Sequence, residues 1–283
     1  MADDAALRDA VRRALVEDDA THDLTTALLG SAVGWPATAR FVVEQDCVLA
    51  GAQVPAAVFA ELDPTCIVSL YFQDGDTLVA GATIAAVHGP LGALLGGERV
   101  ALNFLQRLSG IATLTRRVVE AVAGTGAHVT HTRKTTPGLR TLERMAVRAG
   151  GGVDHRHSLG DAILWKDNHW VALAAAGGTL RDALAGAPAD RLVIVEAETE
   201  AQFTEALAAG VTRILVDNQT PTQVAEWVRR AGPVVAIEAS GVITADTAAD
   251  FARAGARFLS LGGLTHSVRA AAIRMDLEPP VAP

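Results

Sequence analysis

The densest chemistry in the chain lies between His131 and His169, which reads H-T-R-K-T-T-P-G-L-R, then R-A-G-G-G-V-D-H-R, then L-W-K-D-N-H. Seven basic residues (Arg133, Lys134, Arg140, Arg144, Arg148, Arg156, Lys166) face four acids (Glu143, Asp154, Asp161, Asp167). The segment is therefore +3 in a chain of formal charge −8, and the rest of the chain carries −11. A local positive cluster in an acidic protein suits a pocket for a small, highly charged anion. Nucleic acid would call for a broad basic surface and a high pI. Arg133, Lys134, Arg156 and Lys166 each fall beside a turn or strand end and read as functional. Arg140, Arg144 and Arg148 stand four apart on one face of a helix and read as solvated charges.

Further chemistry sits where short apolar runs end. Leu192–Val195, Ile214–Val216, Val234–Ile237 and Phe258–Leu261 recur at intervals near twenty residues. Glu196, Asp217 and Glu238 follow or close three of them, at equal spacings of 21. Two such acids at neighbouring strand ends suit Mg²⁺, which takes one or two carboxylates together with substrate phosphates. Ser240-Gly241 and Gly262-Gly263 expose backbone N–H groups before helices, as phosphate sites on late strands do, and His266 lies just beyond.

These groups need a scaffold that gathers strand ends. Thr199, Thr220 and Thr244 read as helix N-caps, Pro221 suits a first helical position, and Gly210, Gly232 and Gly255 suit helix ends. Strands alternating with capped helices give βα units and a parallel sheet, either a closed barrel or an open doubly wound sheet. Polar residues end every strand here, which favours a barrel mouth over a single switch point. The first hundred residues read differently. An amphipathic helix, Asp3 to Asp18, carries Leu7, Val11, Ala14 and Leu15 on one face. Strand-like pieces follow at Ala37–Gln45, Cys47–Ala50, Thr65–Phe72 and Leu78–Val87, with a helix at Val54–Leu62 and a hairpin turn at Asp74-Gly75-Asp76. Leu91 to Ala123 is helical in pattern, with Ser109-Gly110 expected to kink or break it. Arg99 in that run, taken alone, reads as a surface arginine.

Composition sets outer bounds. At 283 residues, half of them hydrophobic, the chain can bury a substantial core as one large or two modest domains. The acidic N-terminus lacks the pattern of a signal peptide, and no apolar run is long enough to span a membrane, so cytoplasm is the expected location. Cys47 and Cys66 lack metal-ligand spacing, and neither a disulfide framework nor a zinc site is expected.

Taken in order, several motifs resemble the quinolinate phosphoribosyltransferase family, the carboxylating nicotinate-nucleotide pyrophosphorylases of NAD biosynthesis. They are E-D-x-x-x-x-D-L-T-T, E-R-V-A-L-N-F-L-Q-R-L-S-G-I-A-T, T-R-K-T-T-P-G-L-R, A-V-R-A-G-G-G-V-D-H-R, A-I-L-W-K-D-N-H, E-A-S-G and L-T-H-S, spread nearly end to end. The resemblance implies an N-terminal α/β sandwich domain (1–108, with the tail 267–283 packed on it) and a C-terminal open α/β barrel (109–266). It implies homodimers with active sites shared between subunits, quinolinate and phosphoribosyl pyrophosphate as substrates, and Mg²⁺. Arg99 would then serve the neighbouring subunit's site. Arg133, His155 and Arg156 would bind the substrate carboxylates, and Lys134 and Lys166 would face both substrates. Glu196 and Asp217 would serve ribose and Mg²⁺, with Ser240, Gly241, Gly262, Gly263 and His266 at the 5-phosphate.

The chain departs from the family pattern at four places. His157-Ser158-Leu159 stands where Met-Gly-Leu is usual, Asp154 replaces Asn, Trp165 replaces an aliphatic residue, and a glycine pair after Ser240 is shortened to Gly-Val. The first two flank the carboxylate-binding pair. They leave open a paralogue acting on another pyridine-type carboxylate, or a phosphoribosyltransferase-like protein linked to molybdate uptake. Outside the family, a Schiff-base barrel aldolase using Lys166 and a non-catalytic binding protein are the other readings.

Overall fold

The computed structural model describes residues 2–280 and 282. The chain divides into two compact units. The first comprises Met1–Arg116, Thr135–Gly151 and Ser267–Pro283, and the second Arg117–Lys134 and Gly152–His266.

The first unit is helices on antiparallel sheet. Its opening helix, Ala2–Glu17, buries Leu7, Ala10, Val11 and Leu15, the i, i+3, i+4 stripe its sequence spells. Strands β1 (Pro36–Val43), β2 (Cys47–Val48), β3 (Ile67–Leu70), β4 (Thr77–Leu78) and β5 (Thr83–Pro90) follow, with the helix Val54–Leu62 between β2 and β3. Phe41 of β1 and Phe59 of that helix are fully buried with ring centroids 6.1 Å apart. The turn at Asp74-Gly75-Asp76 forms, with Gly75 at φ +96° and Asp76 N–H donating to Gln73 O. It does not make a hairpin, because β3 pairs with β5 and β4 pairs with β2.

The helix Leu91–Ala121 runs unbroken through Ser109-Gly110, where a kink or a break was expected, and also through the expected domain boundary after residue 108. Packing decides this against propensity. A Cβ at Gly110 would collide with the backbone of Arg269, so the glycine lets the chain's tail lie directly on the helix. Ser109 Oγ accepts from Ala50 N–H at 3.2 Å. The tail is tied further by Gln106 Nε2 donating to Ile273 O at 2.7 Å. The helix Arg140–Ala149 also belongs to this unit and is no solvated face. Glu143 and Arg144 are buried, and Arg107 bonds the Glu143 carboxylate at 2.7 Å.

The second unit is a parallel sheet of six strands: β6 (His128–Thr130), β7 (Ile163–Trp165), β8 (Val193–Ala197), β9 (Arg213–Asp217), β10 (Ala236–Ser240) and β11 (Phe258–Ser260). Their spatial order is β6-β11-β10-β9-β8-β7, all parallel. Beyond β6 only a single bridge, Thr130 to Val153, extends the order, and among the described residues β6 and β7 do not pair. This is an open α/β barrel. Thr199 and Thr220 cap the helices Glu200–Ala208 and Pro221–Ala231 through their side chains, and Gly210 and Gly232 follow them at positive φ. Thr244 is not a helix cap: the next helix is Ala248–Arg253, entered at Thr247. The final strand, β12 (Ile273–Leu277), returns to the first unit and pairs antiparallel with β1 in the order β12-β1-β5-β3.

Candidate active site

A cleft of about 330 Å³ opens at the carboxyl ends of the parallel strands. The segment after β6 contributes His131, Thr132, Arg133 and Lys134, and the segment before β7 contributes His155 and Arg156. Lys166 follows β7, Glu196 lies in β8, Asp217 ends β9, Ser240 ends β10 and Ser260 ends β11. Parallel strands point their carboxyl ends one way, so residues distant in sequence converge there.

Cations and anions occupy the cleft side by side. Arg133 Nε is buried and makes no hydrogen bond within the chain. Burial pushes the Arg156 guanidinium below its ordinary value, and neighbouring Arg133 adds to this, while Glu196 and Glu238 oppose it. Two arginines held so close call for an anion between them. Lys166 Nζ bonds Glu196 Oε2. Burial raises the Glu196 carboxyl above the usual range even so, with Asp217 and Asp167 adding to the rise and Lys166 opposing it. Carboxylate oxygens of Glu196, Glu198 and Asp217 all lie within 4.8 Å of one another. That is an all-oxygen donor set, of the kind a hard divalent cation accepts.

The remaining expected residues are not among the groups that line this cleft. Gly262 stands against Lys134 and His266: a Cβ there would lie 3.0 Å from Lys134 Cδ and 3.0 Å from His266 Nε2. Thr265 Oγ1 donates to Lys134 O at 2.8 Å, tying that segment to the loop after β6. Gly241, at φ +110°, abuts Asn218, where any side chain would collide with the Asn218 amide. A Cβ at Gly263 would meet open space. Arg99 lies exposed on the helix Leu91–Ala121 of the first unit and is not among the cleft-lining groups.

The equal spacing of the three acids does not make them equivalent. Strand register sets Glu196 and Glu238 level with Leu215, whereas Asp217 is one layer higher, level with Ser240 and, through it, Ser260. Glu238 is thus a mid-strand, fully buried group rather than a strand-end one. Burial alone would raise its carboxyl, but His155, Arg213 and Ser260 outweigh that and hold it below the usual range. Glu198 and Ser260 were not singled out from sequence. Glu198 is legible in hindsight, two residues beyond Glu196 and on the same side of an extended chain.

The departures from the family pattern lie outside the cleft wall. Leu164 and Lys166 line the cleft, so the alternation of a strand turns Trp165 to the opposite face, 6.1 Å from Trp170 between ring centroids. Asp154 Oδ1 lies 3.2 Å from His131 Nε2, and His157 sits 3.9 Å from Asp154 and 3.7 Å from Asp161. Asp161 accepts from the backbone N–H groups of His157 and Ser158, which lower its carboxyl below the usual range. The added acid at 154 therefore lies beside His131 and His157 rather than in the cleft lining.

Family models for the quinolinate phosphoribosyl transferase N-terminal and C-terminal domains match residues 23–109 and 111–276. The chain belongs to the quinolinate phosphoribosyltransferase family. A probable nicotinate-nucleotide pyrophosphorylase (carboxylating) of Bacillus subtilis is 42% identical over 263 residues, covering 93% of this chain and 90% of that one. The corresponding protein of Mycobacterium leprae is 39% identical over 278 residues, with 96% and 97% covered. The solved structure of the nicotinate-nucleotide pyrophosphorylase from Francisella tularensis superposes with a TM-score of 0.88 at 31% identity, covering 97% of this chain and 96% of that one. Membership of the quinolinate phosphoribosyltransferase family accounts for the pairing of an N-terminal sheet unit with an open parallel barrel.

Proposed function

We propose that this chain transfers the phosphoribosyl group of phosphoribosyl pyrophosphate to quinolinate with decarboxylation, giving nicotinate mononucleotide, CO₂ and pyrophosphate. The observation that carries this reading is the juxtaposition of Arg133 and Arg156 with the Glu196–Asp217 pair in one cleft. The first pair suits a small dicarboxylate and the second a metal-bound pyrophosphate ester.

The chain's own groups have distinct tasks. Arg133, Arg156 and His155 hold the two carboxylates of quinolinate, so the pyridine nitrogen is turned to the anomeric carbon. Placement of two bound reactants this way replaces a bimolecular encounter. As nitrogen bonds to that carbon, the carbon–oxygen bond to pyrophosphate breaks, its electron pair going to the leaving group. Lys134 and Lys166 neutralise that charge. Loss of the 2-carboxylate as CO₂ leaves its electron pair on the ring carbon beside the pyridinium, which then takes a proton. Mg²⁺ held by Glu196 and Asp217 would supply Lewis-acid neutralisation of the pyrophosphate. Ser240, Gly241, Gly262, Gly263 and His266 serve the 5-phosphate. A Schiff-base role for Lys166 fits less well, because its amine is committed to a buried carboxylate rather than sitting uncharged in an apolar pocket.

Among the described residues no helix is long and apolar enough to cross a membrane, and the enzyme is read as cytoplasmic. Pyrophosphate release tests the reaction class. It is expected only when quinolinate, phosphoribosyl pyrophosphate and Mg²⁺ are all present, stopping on chelation and resuming when Mg²⁺ is restored. Release that persists without quinolinate would contradict the acceptor.

The homodimer is proposed with shared sites, Arg99 of each subunit serving the other's acceptor. Arg99→Ala and Lys134→Ala proteins, each inactive alone, are then expected to regain about a quarter of wild-type activity when mixed as dimers, the statistical yield if one intact site forms per mixed pair. Mixed dimers that recover nothing would overturn the sharing of sites between subunits.

A further inference from the structure

Glu238 lies in the middle of β10, with 0% exposure. It is in register with Leu215 of β9 and Phe258 of β11. Strands at the centre of a parallel sheet ordinarily carry apolar residues there, and a buried carboxylate is costly unless fully bonded. Its bonding is complete. Arg213 Nε donates to Oε2 at 2.8 Å, with the Arg213 guanidinium stacked 3.7 Å from the Phe258 ring centroid. The Ser260 hydroxyl donates to Oε1 and is itself bonded to Thr130 Oγ1 at 2.7 Å. His155 Nε2 lies 3.1 Å from the same Oε1, at ion-pair distance but without the alignment of a hydrogen bond.

Arg213 alone balances the charge of one carboxylate, so neutrality does not account for the histidine. His155 is also 7% exposed in its side chain, yet it borders the cleft beside Arg156. Its backbone N–H is held at 3.2 Å from His131 Nε2, which fixes the base of the residue from another side. A carboxylate behind an imidazole sets the ring's orientation and favours a proton on the nitrogen that faces it.

We propose that Glu238 is a positioning residue for the acceptor subsite: it holds a doubly protonated His155 ring with Nε2–H turned into the barrel, so that Nδ1–H on the other edge donates to a carboxylate of the aromatic acceptor between Arg133 and Arg156. The Thr130–Ser260 hydroxyl pair and Arg213 keep the carboxylate itself from turning. This inference rests on reading the cleft as the dicarboxylate site.

The test combines kinetics with calorimetric binding of quinolinate to wild type, Glu238→Gln, His155→Asn and the double variant. Glu238→Gln keeps the side-chain volume and removes the charge. It is expected to raise the KM and Kd for quinolinate about tenfold or more, the usual loss for a hydrogen bond to a charged group, while kcat and the KM for phosphoribosyl pyrophosphate stay within about twofold. His155→Asn is expected to do the same, and the double variant to be no worse than the poorer single one, because the two residues act through one contact. Fully multiplicative losses, or Glu238→Gln with wild-type affinity, would overturn the proposal. Side-chain nitrogen NMR of ¹⁵N-histidine-labelled wild type, with His155 assigned from the His155→Asn spectrum, gives a reading that survives any variant's failure to fold. A proton on Nε2 in a hydrogen bond is expected, and a bare Nε2 would overturn the proposal. Wild type that binds no quinolinate would sink the reading of the cleft instead, leaving the NMR result to judge the Glu238–His155 contact by itself.

Discussion

Arg156→Leu is expected to lower kcat/KM for quinolinate by a factor of about a hundred to a thousand, with little change in the KM for phosphoribosyl pyrophosphate. Arg156 is a half-buried guanidinium whose charge burial and Arg133 already disfavour. Glu196 and Glu238 offset part of that cost, and the proposed acceptor's carboxylate would supply the rest. Removing one partner of such a desolvated charge pair costs about 2–5 kcal/mol, about thirty- to five-thousandfold, a span whose middle is the factor given. Leucine keeps most of the volume, so the loss reports on charge. Arg156→Lys should fall between, since an ammonium keeps the charge but cannot form the paired bonds of a guanidinium. Steady-state kinetics against each substrate in turn checks this. A loss that appeared mainly in the phosphoribosyl pyrophosphate KM would move Arg156 to the other substrate.

Lys166→Met is expected to act on kcat instead, lowering it by about a hundred- to a thousandfold, the usual cost of removing one preorganised group that meets developing charge. The lysine emerges from β7 and holds Glu196, whose carboxyl is already raised by burial. Losing it takes away the cation proposed to face the leaving pyrophosphate and leaves Glu196 without its lysine, which raises that carboxyl further. Single-turnover measurements at saturating substrate separate this chemistry from binding. A kcat within about tenfold of wild type would remove Lys166 from the transition state.

The parts of the site visible in sequence were those set by strand direction. Lys166, Glu196, Asp217 and Ser240 each end or closely follow an apolar run, and parallel strands bring such ends together whatever the loops between them do. The level of each residue along its strand was not visible. Equal spacings of 21 include helices and loops of different length, so Glu238 came to lie one layer below Asp217, level with Glu196 at the floor of the cleft. The misread features in the first unit share one cause, which is contact between segments far apart in sequence. Ser109-Gly110 looks like a helix breaker until the Arg269 backbone is laid against it. Arg144 looks solvated until the surroundings of the helix Arg140–Ala149 are known, where it is buried. Asp74-Gly75-Asp76 is a turn by local chemistry, but strand pairing elsewhere decides that it joins two different sheets.

The same reasoning bears on acceptor identity. Asp154, His157 and Trp165 look in sequence like changes to the substrate pocket. In the fold Trp165 faces away from the cleft, and Asp154 is met by His131 and His157. The groups that border the cleft are the ones a pyridine dicarboxylate needs.

The most direct test of that account uses quinolinate carrying ¹³C in its 2-carboxylate, incubated with the purified protein, phosphoribosyl pyrophosphate and Mg²⁺. The expected result is transfer of all the label to CO₂, with unlabelled nicotinate mononucleotide and pyrophosphate appearing in equal amount. Label retained in a nucleotide product, or no nucleotide from protein shown to bind phosphoribosyl pyrophosphate, would contradict it.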